Sequence, residues 1–403
     1  ERIYNMLSSL CSNGFSISIF YTGEPRKLRQ NACCLFPIFS SKLLVKDIKS
    51  TTKSYLRAVG WLKDFLSLIV NILRYQSIHQ PNNGSWKSNI SECDRYVFNK
   101  LVEEINPEII LIEYIWLTRL VTGLKRKIRK QLFTVVDTHD VASSRTEQFD
   151  KEKQSLHYRA NFEQEKEAIK NYDLIIAIQS HDAEIFSRML PGSSIIVAHH
   201  SLPIKKPVKR IVGAKANILF VGSNNAPNTD GLNLFLMHVW TRLLEIYSHR
   251  IVLNIVGSIS NNANEFHTKE GLVIHGIVDS LDDYYDSADI VIAPLTYGTG
   301  LKIKVVEALC FSKPLITTYI GADGLDEGIN TAFMIGRDWK EFEDKMIELL
   351  DSPEKRYLTA CAAYDYSHSM FDEKVAYREL IDCLSVGEPE MIMEHEKGLK
   401  TAQ

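Results

Sequence analysis

The chain has 403 residues and little sulfur chemistry to offer. Its seven cysteines (Cys11, Cys33, Cys34, Cys93, Cys310, Cys361 and Cys383) form no CxxC pair and no framework spacing, and an odd count argues further against a disulfide scaffold. A reducing cytosol is the simplest setting. Charge of one sign is also missing: 47 basic residues against 50 acidic ones leave a formal net charge of −3, so nucleic acid is not an expected partner. No run of about 18 uncharged apolar residues could cross a bilayer. The nearest, "YLRAVGWLKDFLSLIVNILRY" (55–75), is broken by Arg57, Lys63, Asp64 and Arg74. Neither half shows GxGxxG after a strand with a ribose-binding acid further on, which speaks against a nicotinamide-dependent dehydrogenase. The chain opens without Met inside an amphipathic pattern, "ERIYNMLSSLCSNG", and reads as a fragment whose first strand is missing.

What is present is a soluble globular composition, 45% hydrophobic and 24% charged, with room for two domains. Apolar runs of strand length alternate with helical patterns: 15–21, 108–114, 132–137, 174–179 and 194–199, then 217–222, 251–257, 272–276, 289–295 and 314–318. Short continuous apolar runs between helices predict parallel sheets covered on both faces. Helices are expected near 42–75, 91–104, 115–130 and 144–171. The Pro- and Lys-rich stretch 201–216 is the expected linker. The predicted organisation is α/β, with two doubly wound Rossmann-like domains facing a central cleft: 1–203, 204–370, a helix at 371–384 returning to the first domain, and a polar tail at 385–403.

The stretch "YGTGLKIKVVEAL" (297–309) follows the apolar run "DIVIAPL" and carries an electrostatic conflict. Strand, glycine turn and helix start in sequence let backbone N–H groups approach an anion. Lys302 and Lys304, however, fall in the predicted first turn, where a cation opposes the helix dipole by roughly 0.3–1 kcal/mol each. A bound diphosphate reverses that sign. Glu307 lies one turn in, on the face of Lys304, where a carboxylate can accept two ribose hydroxyls.

Four segments together resemble the C-terminal domain of a GT-B glycosyltransferase of the retaining GT4 type: "FVGSNNAPNTDGL" (220–232), "HGIVDSLDDYYDSADIVIAPL" (275–295), "YGTGLKIKVVEALCFSKPLITT" (297–318) and "GADGL" (321–325). The resemblance implies that Gly298, Thr299, Gly300 and Leu301 hold the donor sugar and diphosphate, that Glu307 binds ribose, and that Gly276 and Ile277 lie against the base. Glu307 matches the second glutamate of the family's E-x7-E pattern, and Thr299 stands where the first would be. Many relatives carry an Arg and a Lys on the diphosphate after the first strand of this domain. Here that loop supplies Gly222, Ser223, Asn224, Asn225 and Asn228, which offer hydrogen bonds without charge or simply form a turn. The neutralisation then falls to Lys302 and Lys304.

In the first domain "VVDTHDVASSR" (135–145) ends a strand where the cleft should be. By resemblance His139 leans over the donor sugar with Asp140 beside it; a capping histidine and a metal ligand set with Asp137 are the alternatives. Glu113 and Ser180 are further strand-end candidates. The resemblance implies transfer of a sugar from a nucleoside diphosphate sugar, UDP- or GDP-linked, to an acceptor hydroxyl, retaining and with no metal or other cofactor. His139, Asp140 and Lys304 would be the catalytic residues. A glycan or lipid-linked acceptor, a role in cell-surface polysaccharide or glycolipid synthesis, and a place in the cytoplasm at the inner face of the membrane go with it. Residues 42–75 read as a basic amphipathic helix that either lies on an anionic surface or packs on the sheet. The alternative function is a non-catalytic nucleotide- or sugar-binding protein.

Overall fold

The computed structural model describes residues 2–15, 17–21, 43–47, 90, 92–154, 156, 159–209, 215–260 and 270–386. All but the start of the basic segment 42–75 lies outside them. That start, Leu43–Asp47, is a strand (β2) paired in parallel with β1 (Ile17–Tyr21), not the beginning of a helix, because paired backbones outweigh a short helical pattern.

The first sheet contains β3 (Ile109–Glu113), β4 (Phe133–Asp137), β5 (Leu174–Ala177) and β6 (Ile195–Val197), all parallel and in that order. Successive residues serve opposite cores. Val135, Leu174 and Ile176 face one cluster, whereas Val136, Ile175 and Ala177 face the other. Burial on both faces is why these strands read as unbroken apolar runs. Each fully buried Val, Leu or Ile contributes roughly 1.5–3 kcal/mol.

The second sheet, also parallel, has the order β12-β11-β10-β7-β8-β9, with β7 (Ala216–Val221), β8 (Ile251–Val256), β9 (Leu272–Gly276), β10 (Ile290–Ala293), β11 (Leu315–Thr317) and β12 (Met334–Ile335). Chain order reverses at β7, which has β8 on one side and β10 on the other. Such a switch point leaves a crevice beyond the carboxyl ends of the strands. The strands expected from the sequence are all present, and β12 is an addition too short to show a pattern.

Two expected helices are broken. The stretch 144–171 is two helices, α3 (Ala142–Lys151) and α4 (Phe162–Ile169) after α1 (Arg2–Ser12) and α2 (Glu92–Ile105). Lys153 turns left-handed between them, and Asn161 with Gln164 starts the second in a capping box. The stretch 115–130 is a series of short turns interrupted at Gly123. Near the C-terminus, the helix Pro353–Met370 packs on the second domain, and Ala376, Tyr377, Leu380 and Leu384 pack on the first beside Met6 and Leu10 of α1.

Arg2 is the main polar tie in that packing. Its Nε and Nη2 donate to both oxygens of Asp137 at 2.9 and 3.0 Å, and Nη1 donates to the Ala198 carbonyl at 2.8 Å. Both residues are buried. Removing one partner strands the other charge, so Arg2→Met should cost about 3–5 kcal/mol in urea unfolding, and adding Asp137→Asn should recover part of it. Nearby His200 is 1% exposed, and burial holds its pKa down at about 3. The unfolded chain takes up that proton near 6.5. Stability should therefore fall as pH drops from about 6.5 towards 3, and thermal melts of His200→Leu should show a flatter decline over that window.

Candidate active site

The ends of β7, β8 and β9 are drawn together by glycines. Gly257 (φ 109°) lies so close to the Gly222 carbonyl that a Cβ would approach it to 2.3 Å, and its N–H donates to the Gly276 carbonyl at 2.7 Å. After β7, Asn225 caps the helix Ala226–Phe235, its side chain accepting from the Asn228 N–H at 3.1 Å. The Asn228 amide donates to the Ser223 carbonyl at 2.8 Å, and the Asn224 N–H donates to Ser258 Oγ at 2.9 Å. These donors, expected from sequence to face a diphosphate, here hold their own loop. Ile277, beyond β9, is 75% exposed.

Across the switch point, the loop after β10 runs to the helix Ile303–Cys310. The helix starts two residues later than expected. Gly300 is left-handed (φ 71°) and Lys302 extended (φ −88°, ψ 99°), so the chain reaches out before it coils and Lys302 becomes the N-cap residue. Lys302 Nζ bonds the Gly300 carbonyl and lies 3.6 Å from Asp323. Burial lowers its pKa, with Asp323 opposing. Lys304 Nζ bonds the Asn228 amide oxygen and stands 5.2 Å from the Phe220 ring centroid. It pairs with no carboxylate among the described residues. Burial, helped by Lys302, pushes its pKa down to about 7 although Glu307 pulls the other way. Glu307 accepts from the Tyr285 hydroxyl at 3.1 Å.

The first domain meets this loop directly. A Cβ on Gly300 would sit 3.2 Å from Asp140 Cβ and 3.8 Å from the His139 carbonyl. Asp140 accepts from Arg145 at 2.7 Å, and burial raises its pKa. His139 Nε2 lies 2.6 Å from Glu113 Oε2. The Gly298 N–H, expected at the donor sugar, donates to Gln148 of the first domain at 2.8 Å. Between the domains lies a cavity of about 370 Å³ lined by Gln148, His181, Asp182, Thr299, Tyr319 and Asp323, among others. Asp182 Oδ2 and Thr299 Oγ1 are buried there without partners among the described residues. Burial lifts the Asp182 pKa to about 7, and Asp323 and Asp140 add to the rise. Ser180 begins the helix that carries Asp182.

Glu113, Asp137 and His139 bring three potential metal-ligand atoms within 4.8 Å of one another. Both oxygens of Asp137 are engaged by Arg2, so that carboxylate already has its cation, and the trio fits a hydrogen-bonded charge cluster better than a metal centre. The start of α3 is likewise filled: Glu165 accepts from the Ala142 and Ser143 N–H groups at 2.7 and 2.8 Å.

Residues 215–352 match the family model described as glycosyl transferases group 1. The match falls within the second domain, which is similar to that family over these residues. A likeness in fold to solved structures extends over both domains. Sucrose-phosphate synthase from Thermosynechococcus elongatus superposes with a TM-score of 0.59 at 16% identity, covering 73% of this chain and 78% of that one. HepE from Anabaena in complex with UDP gives 0.58 at 14%, covering 72% and 82%. TarM from S. aureus, in complex with fondaparinux, alpha-GlcNAc-glycerol and UDP, gives 0.56 at 11%, covering 72% and 58%. These are GT-B glycosyltransferases, and at such identities they show the fold. An uncharacterized 44.6 kDa protein in the cps region of Klebsiella pneumoniae is 25% identical over 191 residues, 44% of this chain. The chain thus spans about half the length of the curated relative it matches, 49%.

Sequence reasoning did not single out Gln148, Asp182, Asp323 or Tyr285. None belongs to a recognisable spacing; each acquires a partner only through folding. Asp323 was visible inside "GADGL", with no signal that it would face Lys302. The lowered pKa of Lys304 has a measurable consequence. Burial leaves Lys304 largely neutral above pH 7, and a diphosphate bound beside it would restore the charge, so nucleotide binding at this site should take up a proton. Calorimetry at pH 8 in buffers of different ionisation enthalpy should detect up to one proton per site, lost in Lys304→Met.

Proposed function

We propose that this protein transfers a sugar from a UDP- or GDP-linked donor to an acceptor hydroxyl, as a step in cell-surface polysaccharide or glycolipid synthesis. The observation that carries the reading is Lys304, a desolvated amine without a carboxylate partner among the described residues, at the switch-point crevice of a parallel sheet. A diphosphate supplies the missing negative charge. Lys302 and Lys304 stabilise the charge that develops on the leaving group, the largest catalytic lever of such a site. With that neutralisation in place, the transfer needs no metal. Glu307 engages the ribose, Gly276 and Ile277 flank the base, and Thr299 and Gly300 contact the sugar. Retention of anomeric configuration follows the GT4 resemblance.

The polysaccharide role rests on the cps-region relative. A nucleotide donor is consistent with the HepE structures, which hold UDP or UDP-glucose, and a glycan or lipid-linked acceptor with the TarM ligands. We place the reaction in the cytoplasm at the inner face of the membrane. No helix among the described residues is long and apolar enough to cross a bilayer, and residues 48–75, the bulk of the proposed membrane contact, lie outside them. The second reading, nucleotide binding without turnover, draws on the Gly298 N–H being taken by Gln148.

A thermal-shift screen with UDP, GDP and ADP tests the site. One nucleotide at about 100 times its Kd should stabilise the protein by about 2.7 kcal/mol, a rise of several degrees in Tm. Glu307→Ala should abolish the shift, and Lys304→Ala should weaken it about tenfold in affinity. Equal shifts in all three proteins would remove the assignment. Binding without consumption of any nucleotide sugar would select the second reading.

A further inference from the structure

α3 reads "ASSRTEQFDK" and has little apolar surface to bury. Its buried residues are Ala142 and Ser143 in the first turn, where Glu165 accepts both N–H groups. From Glu147 to Lys151 the helix is exposed or half-buried, and its one large apolar side chain is Phe149. A helix that is polar nearly all round gains little from packing, so its outer turns open at low free energy. Phe149 belongs to neither apolar core of its own domain. Its ring instead meets Tyr297 of the second domain, edge-on at 5.9 Å.

The loop after β10 that α3 covers is the better-fixed partner. Tyr297 is buried and its hydroxyl donates to Asp230 at 2.6 Å, while Gly298 (φ 123°) holds a backbone that other residues rarely reach. Three points of this loop touch the first domain: Tyr297 through Phe149, the Gly298 N–H through Gln148 Oε1 at 2.8 Å, and Gly300 through Asp140. A Cβ on Gly298 would stand 3.7 Å from Lys302 Cε, so this N–H and the Lys302 amine serve one neighbourhood. Both are engaged by oxygens of the chain itself. Gln148 supplies one to the Gly298 N–H, and the Gly300 carbonyl and Asp323, at 3.6 Å, supply Lys302.

We infer that α3 is a displaceable strap across this loop: the Gln148 amide oxygen holds the Gly298 N–H until an oxygen of the nucleotide sugar takes its place. This rests on the nucleotide site proposed above and concerns how that site is reached. Gln148 is chemically suited to the exchange. Its amide oxygen is a neutral acceptor, a weaker partner for an N–H than the ionised oxygen of a diphosphate, which Lys302 also attracts. The exchange therefore favours an anionic ligand. It requires only the lightly packed second half of α3 to move, while the first turn stays fixed on Glu165. Because the strap must open first, the apparent affinity falls below the intrinsic one by the fraction of molecules that are open.

Gln148→Met in the full chain keeps a helix-forming side chain of similar size and removes the acceptor. Calorimetry with UDP or GDP, whichever binds the wild type, should find Kd lowered roughly 3- to 10-fold, because one neutral hydrogen bond no longer opposes binding. Gln148→Glu keeps an acceptor but sets a negative charge where the diphosphate must come, so its Kd should rise above that of the wild type. Binding by Gln148→Met that is equal to the wild type or weaker would overturn the inference. Hydrogen–deuterium exchange of the Gly298 amide gives a readout that needs no nucleotide. Exchange about tenfold or more faster in Gln148→Met than in the wild type supports the strap, and equal rates overturn it. Absence of binding by UDP, GDP and ADP to both proteins would instead remove the nucleotide site, and the inference with it, whatever the exchange rates.

Discussion

A buried guanidinium holds the strand ends of the first domain in place. Arg2 binds both oxygens of Asp137 at the end of β4 and the Ala198 carbonyl beyond β6, which fastens α1 across two strands of the sheet. Without that cation, Asp137 and Glu113 would be two carboxylates buried near one histidine, and like-charge repulsion with desolvation would push protons onto them. The left-handed turn at His139 follows directly, two residues beyond the fixed Asp137. The C-terminal helix shares the same core as α1, so both ends of the described chain brace the face behind the site.

The second domain is arranged around the opposite imbalance. Lys304 is desolvated with an amide oxygen as its partner, and Lys302 adds a second cation close by. Burial without a counter-ion disfavours the charged form of an amine, and Lys304 meets that condition beside β7, where the strand order of the second sheet reverses. Carboxyl groups gather on the first-domain side of the cleft and the two lysine amines on the second.

Close backbone approach joins the two walls. Gly300 lies against Asp140, and a Cβ on Gly324 would come within 1.9 Å of the Gln179 amide oxygen. Gln148 spans the gap to the Gly298 N–H. Glycines at these points let the domains meet main chain to side chain, and the polar cavity with the unpartnered Asp182 and Thr299 atoms remains between them.

By itself the sequence determined the two parallel sheets, because strands buried on both faces must be apolar throughout and the runs at 132–137 or 289–295 admit no other reading. It also determined the glycine loop, the lysine pair and Glu307, whose spacing along one helix is a local property. It placed His139 at a strand end but left its partner open. Only the tertiary structure decided that partner, Glu113, 26 residues away in the chain. The same holds for Arg2, which reaches its partner across 135 residues, and for Lys304, whose lowered pKa comes from burial that no local pattern encodes. Periodicity records which face of an element is covered. Which charges then meet across the covered faces is settled by packing.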